Sequence, residues 1–183
     1  MDYCDIDYLE HYGGFTNASE EARAMLTVHI TEASDLIDKW CGRKFGIATG
    51  EAATTRTFTI LNGLLDKNYR ATLWLDEDLA ALPSTITTVV GTVALTYMPS
   101  VGPPYYAIIR DGGSWEDPTT ITGFWAYSMT PSALIVNTTA RLAMWLYHQR
   151  EAVMSQGNTL NIPNQIPNDI AKTLAPYKRV RLP

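Results

Sequence analysis

The chain has 183 residues, 46% apolar and 10% aromatic, enough for one domain with a real core or one with a sizeable insertion. Charged residues make up only 18%, below the roughly 25% of an average soluble domain, which suits surface hidden in an oligomer. The net charge of −5 argues against a nucleic-acid binder that works by neutralising phosphates, and no apolar run approaches the roughly 20 residues of a membrane span.

The charge is unevenly placed. Residues 1–40 hold nine acids against Arg23 and Lys39, a net −7, and residues 144–183 hold five bases against Glu151 and Asp169, a net +3. Ends of opposite sign favour head-to-tail contact between copies, or a basic tail seeking an acidic partner. Solvated charge with no partner is the plain alternative. Cys4 and Cys41 form neither a metal spacing nor a Cys-x-x-Cys motif, there is no secretory signal, and the two cysteines read as a reduced pair in preference to a disulfide.

In chain order, residues 6–12 predict a short helix capped by Asp5 and ended by Gly13-Gly14. Residues 18–41 predict a long one, with Asn17 as N-cap and Glu20 completing a capping box. Ala22, Met25, Leu26, His29, Ile30, Ala33, Leu36, Ile37 and Trp40 share one stripe, and Arg23, Thr27, Thr31, Ser34, Asp35 and Asp38 lie opposite. From Arg56 to Ser128 the pattern becomes short strands: 56–60, 71–75, 85–90, 93–97, 105–109 and 119–122. Turns punctuate them at Asn62-Gly63, Asp76-Glu77-Asp78, Pro99, Gly102-Pro103-Pro104, Gly112-Gly113 and Pro118. Such spacing predicts a small antiparallel sheet or partial barrel.

A second long helix is expected over 131–153, capped by Thr130 with Pro131 at its first position. Leu134, Ile135, Thr138, Leu142, Trp145, Leu146 and Val153 fill one face, and Val136, Ala140, Ala143, Met144 and Tyr147 fill much of the other. A helix apolar on two sides is packed on two sides. Either it runs through the middle of a bundle, or Val136, Ala140, Ala143, Met144 and Tyr147 meet a neighbouring subunit. Residues 155–166 read as a polar loop. A short helix from about Pro167 to Ala175 is stopped by Pro176, and Tyr177, Lys178, Arg179 and Arg181 make a basic tail. The fold class is α+β: a bundle of a short N-terminal helix, two long helices and a short C-terminal helix, with an inserted antiparallel sheet at 46–128.

No catalytic constellation, metal set or cofactor motif emerges. His11, His29 and His148 sit in separate elements, and His29 lies on an apolar stripe, where a core or interface histidine is the better reading than a ligand. Asp76-Glu77-Asp78 lacks the glycine and distal glutamate of a calcium loop, and reads as a turn between inward-facing Leu75 and Leu79. Asp66, Asp111, Glu116 and Asp117 sit among turn residues, where acids are common for local reasons. Gly112-Gly113-Ser114 is not a phosphate loop, and Ser128 and Ser132 lack a nucleophile elbow. Phe124, Trp125 and Tyr127, with Tyr97, Tyr105 and Tyr106, read first as sheet core and second as interface anchors.

Several fragments in order resemble the head–tail connector (adaptor) family of long-tailed bacteriophages. They are Asp7-Tyr-Leu-Glu10; Ile37-Asp-Lys-Trp-Cys-Gly-Arg-Lys-Phe45; Thr55-Arg-Thr-Phe58; Leu75-Asp-Glu-Asp-Leu79; Ile121-Thr-Gly-Phe-Trp-Ala-Tyr127; Trp145-Leu-Tyr147 with Arg150-Glu-Ala-Val153; and Leu174-Ala-Pro-Tyr-Lys-Arg179. The β-rich part is larger than in some connector subfamilies. The resemblance implies a non-enzymatic virion protein, one connector domain over 1–183 that forms a ring of about twelve copies. It implies docking under the portal protein through an extended tail at 174–183 (Leu174, Pro176, Tyr177, Lys178, Arg179, Arg181), a lower face against a stopper or tail-completion protein, and genomic DNA passing down the lumen unread. Assembly would take place in the host cytoplasm. The alternatives are a stopper or tail-completion protein itself, or a carbohydrate-binding or carbohydrate-acting protein using the aromatic sheet.

Overall fold

The structure, a computed structural model, describes residues 1–15, 18–59, 64–65, 71–92, 102–110, 115–156 and 166–179, with side chains described for all of these but 64, 65, 71 and 151–156. The chain divides into two units: residues 1–43 with 131–183, and residues 44–130. The first is helical and the second is β-rich, so the α+β class with an inserted sheet holds.

In the helical unit, α1 (Ile6–Gly13) starts at Asp5, whose carboxylate accepts the Tyr8 N–H at 2.6 Å, and Gly14 ends it in a left-handed conformation. Helix α2 (Glu20–Cys41) starts at Ser19, whose hydroxyl oxygen accepts the Ala22 N–H. The cap is therefore Ser19, two residues later than expected; Asn17 lies outside the described residues. Gly42 at φ +66° closes the helix. Arg23 joins the first two helices, reaching Asp7 and Glu10 at 2.9 Å each.

The α2 stripe packs inward at Leu26, His29, Ile30, Ala33 and Ile37. Ser34 is buried too, against the expectation of a wet face. Its hydroxyl donates to the Ile30 carbonyl and accepts the Tyr3 N–H, and a satisfied hydroxyl tolerates burial. The residues before α1 lie along that flank of α2, a placement no periodicity encodes.

Helix α3 (Ala133–Gln156) begins beyond the expected Thr130 cap: the Ser132 carbonyl accepts the Val136 N–H at 3.0 Å. It packs along α2, burying Ile135, Thr138, Thr139, Ala140, Leu142, Ala143, Met144 and Leu146. Thr138 and Thr139 return their hydroxyls to Leu134 and Ile135 carbonyls, so neither leaves a buried donor unmet. Helix α4 (Asn168–Leu174) follows and passes into a single 3-10 turn at Ala175–Tyr177. The expected joint at 155–166 lies almost wholly outside the described residues.

The β-rich unit holds β1 (Thr54–Phe58), β2 (Leu64–Leu65), β3 (Ala71–Leu79), β4 (Thr85–Thr88), β5 (Gly91–Thr92), β6 (Tyr105–Arg110) and β7 (Thr119–Gly123). One antiparallel sheet runs β1-β7-β4-β5 and another β2-β3-β6. A bridge from Leu79 to Trp125 joins the end of β3 to the chain after β7. Leu73, Leu75, Leu79, Ile86, Ile108, Trp115, Ile121 and Trp125 form the core, with Phe58 and Tyr105 packed on it. Asp76-Glu77-Asp78 is part of β3 and not a turn: the register slips between Trp74 and Leu79 where it faces β6, and Arg56 meets Glu77 at 2.8 Å and Asp76 at 3.7 Å. Leu75 and Leu79 do face inward. The expected strand at 93–97 and the turn at Asn62-Gly63 lie outside the described residues.

Both cysteines are free and buried. Burial, helped by Asp5, pushes the Cys4 thiol up to about 12, and burial pushes Cys41 up to about 11, both from 9.0. A thiol that keeps its proton in the folded state stabilises fully below its unfolded pKa and ceases to do so as pH rises through the folded one. The urea midpoint is therefore expected to fall between about pH 9 and 12, and to fall less steeply in a Cys4→Ala, Cys41→Ala double variant. Equal slopes in the two proteins would contradict the burial argument.

Candidate interaction surfaces

The second face of α3 is covered within the chain itself. Ala140 and Ala143 have 0% exposure and Met144 9%. A Cβ at Gly13 would stand 3.0 Å from the Met144 sulfur and 2.6 Å from the Phe15 ring, so α1 and the residues after it close over this face. The expectation that Ala140, Ala143 and Met144 meet a neighbouring subunit is corrected on this point: two apolar faces here mean a helix in the middle of its own bundle. Val136 and Tyr147 remain part-exposed. Tyr147 is edge-on to Phe15 at 5.8 Å and to His29 at 6.2 Å. His29 in turn is buried, with Nδ1 2.9 Å from Glu32, a packing histidine of the α2–α3 contact.

The C-terminal segment is less extended than the sequence suggests. Leu174 is the last residue of α4 and fully buried, a core residue and not a docking one. Pro176 is exposed and Tyr177 half-buried in the 3-10 turn. The Arg179 N–H donates to the Cys41 carbonyl at 2.8 Å, and the Lys178 ammonium lies 3.9 Å over the Trp40 ring. These contacts place the segment against the C-terminal end of α2. Arg181 lies outside the described residues. Arg141 pairs with Asp169 and ties α4 to α3.

Sequence periodicity gave no hint of a groove near the start of the chain. It has a volume of about 490 Å³. Tyr3, Tyr8, Thr27, Ile30, Pro131 and Val136 line it, and Asp2 and Asp5 stand at its edge. Its lining is brought together from the N-terminal residues, α1, α2 and the start of α3, which lie far apart in sequence.

On the sheet unit, Trp74 and Tyr106 stack at 5.9 Å and 15°, each 46% exposed, on the outer side of the β3–β6 pair. Val89 and Val90 form the β4–β5 turn, and Val90 is 83% exposed. Trp125 and Tyr105 are core, as read, whereas Tyr106 is the aromatic that stays outside. Among the described residues no group of three His, Cys, Asp or Glu side chains converges as a metal set would, and no described helix is long and apolar enough to cross a membrane.

No protein-family model matches the chain, and no curated protein does. Solved chains share its fold, among them one matched over 98% of this chain and 91% of the other, with a TM-score of 0.60 and 11% identity. That chain belongs to the neck of an empty GTA particle, computed with C6 symmetry. At this identity the likeness is one of fold. It spans both units, which excludes a match that rests on a common helix pair alone.

Proposed function

We propose that the protein is a structural component of a phage-type neck, a ring-forming adaptor that docks under the portal and encloses part of the DNA channel. The observation that carries this reading is the fold shared across nearly the full length with a neck chain from a six-fold symmetric computation. Six-fold symmetry accommodates six or twelve copies, and the connector resemblance favours about twelve. The low charge content and the apolar side chains left exposed at Val28, Leu134, Tyr8 and Tyr12 on the helical unit fit a surface that is covered on assembly.

Portal docking falls to the end of the chain, where Pro176 and Tyr177 stand in the 3-10 turn, the exposed Lys178 and part-buried Arg179 come directly after it, and Arg181 follows in sequence. Charge of this kind sets orientation and association rate more than affinity. Val136 and Tyr147 are the members of the α3 set that still have surface to offer a neighbouring copy. A stopper or tail-completion protein meets the opposite face, and DNA passes without being read, in keeping with a net charge of −5.

The test is capture by immobilised portal protein. Lys178→Glu is expected to reduce capture at least tenfold at low salt, with a weaker effect at high salt, while the protein stays folded and its circular dichroism melt falls by only a few degrees, the loss of one exposed cation–π contact with Trp40. Undiminished capture would remove the C-terminal segment from the portal contact.

A further inference from the structure

We infer that the groove beside the N-terminal residues is the seat of the C-terminal residues Val180 and Leu182 of a second copy of this chain; the inference rests on the ring reading above. The groove has an apolar floor at Ile30 and Val136, aromatic walls at Tyr3 and Tyr8, and carboxylates at its edge, Asp2 and Asp5. Its occupant should therefore be a short extended peptide with apolar side chains on one side and bases on the other. Residues 179–182 read Arg-Val-Arg-Leu. In an extended chain alternate side chains face opposite ways, so Val180 and Leu182 share one side and Arg179 and Arg181 the other.

Its own chain reaches the Tyr3 end of the groove, where Tyr3 meets Ser34 and Asp38, but falls short of the Ile30 and Thr27 end. Arg179 is held at Cys41, the last residue of α2. The α2 wall of the groove is Ile30 and Thr27, 11 and 14 residues earlier, which is about 17 and 21 Å along the axis at 1.5 Å per residue. Leu182, three residues past Arg179, reaches at most about 11 Å even fully extended. A peptide that fills the groove through to Ile30 and Val136 thus comes from a neighbour. Arg181 then meets the Asp2 and Asp5 edge, and the portal-facing set narrows to Pro176, Tyr177 and Lys178. The opposed charge of the two ends of the chain, −7 and +3, acquires a specific contact in this arrangement.

The test uses two batches of full-length protein. An unlabelled batch carries a benzophenone amino acid in place of Leu182, and a ¹⁵N-labelled batch is wild type. The two are mixed, irradiated with and without portal, and the cross-linked peptides are mapped by mass spectrometry. The expected product joins light residue 182 to heavy residues 1–8 or 131–136, and Asp2→Lys in the heavy chain lowers its yield at least fivefold. Cross-links confined to one chain, mapped elsewhere, or insensitive to Asp2→Lys overturn the inference. Ring formation is scored separately by electron microscopy of the same samples: rings with the cross-link elsewhere sink this contact alone, whereas absence of rings sinks the neck reading with it.

Discussion

Replacing Ala143 with arginine is expected to unfold the helical unit, not merely to disturb contacts between copies. Ala143 is fully enclosed, with Leu142 and Met144 buried on either side of it in α3. An arginine there must either bury an unpaired charge or force α3 away from the elements packed around it. Burying a charge without a partner is among the few single changes that exceed about 4 kcal/mol, a large share of the roughly 5–15 kcal/mol that holds a domain together. Loss of soluble protein, or of the helical circular dichroism signal at 25 °C, is the expected result. Ala143→Ser, nearly isosteric and able to return its hydroxyl to the helix backbone, should keep the fold. A well-folded Ala143→Arg protein would mean that this face is open after all and available to a neighbour.

The second large effect is expected at Trp125. Its ring is in the sheet core, 5.8 Å from Phe58, and the Arg56 guanidinium lies 4.7 Å over it. Its indole N–H donates to the Thr54 carbonyl at 2.9 Å, and the chain at Trp125 bridges to Leu79. One residue thus joins the start of β1 through its indole and the end of β3 through its backbone bridge, within the segment after β7. Trp125→Ala should cost about 3–5 kcal/mol and unfold the β-rich unit below physiological temperature. Trp125→Phe keeps most of the buried area and loses the hydrogen bond and part of the cation–π contact, so its cost should be nearer 1–2 kcal/mol. Thermal melts followed by near-ultraviolet circular dichroism separate the two. Equal small losses for both variants would show that the indole is packing filler and not a joint.

Much of the fold was legible because its signals are local. The α1 cap at Asp5, the α2 stripe and its Gly42 stop, and strands near 56, 71, 85, 105 and 119 all follow from side-chain period and turn chemistry. The errors share a cause. Asp76-Glu77-Asp78 resembles a turn by composition, yet Arg56 from another strand offsets the acids and lets β3 run on. Ser34 resembles a wet-face residue until Tyr3 supplies a partner 31 positions away. Period alone could not tell a bundle centre from a subunit interface at Ala140 and Ala143, because both bury the same apolar face. The groove was illegible for the same reason, since its walls come from residues 1–8, 27–30 and 131–136. The connector resemblance puts Leu174 in the docking tail, whereas α4 turns it into the core.

The exposed apolar groups that remain are informative by position. Val89 and Val90 stand at the tip of a hairpin and Trp74 and Tyr106 on a sheet face, places where an isolated monomer gains nothing from them. Together with Val28 and Leu134 on the helical unit they leave apolar surface on both units, which the proposed ring would cover.

The central claim, a ring that docks on a portal, is tested most directly by negative-stain electron microscopy of the purified protein mixed with portal. The account predicts an added ring of density on one face of the portal, with six-fold or twelve-fold rotational symmetry in end-on class averages. Portal particles unchanged by a large excess of folded protein would contradict it.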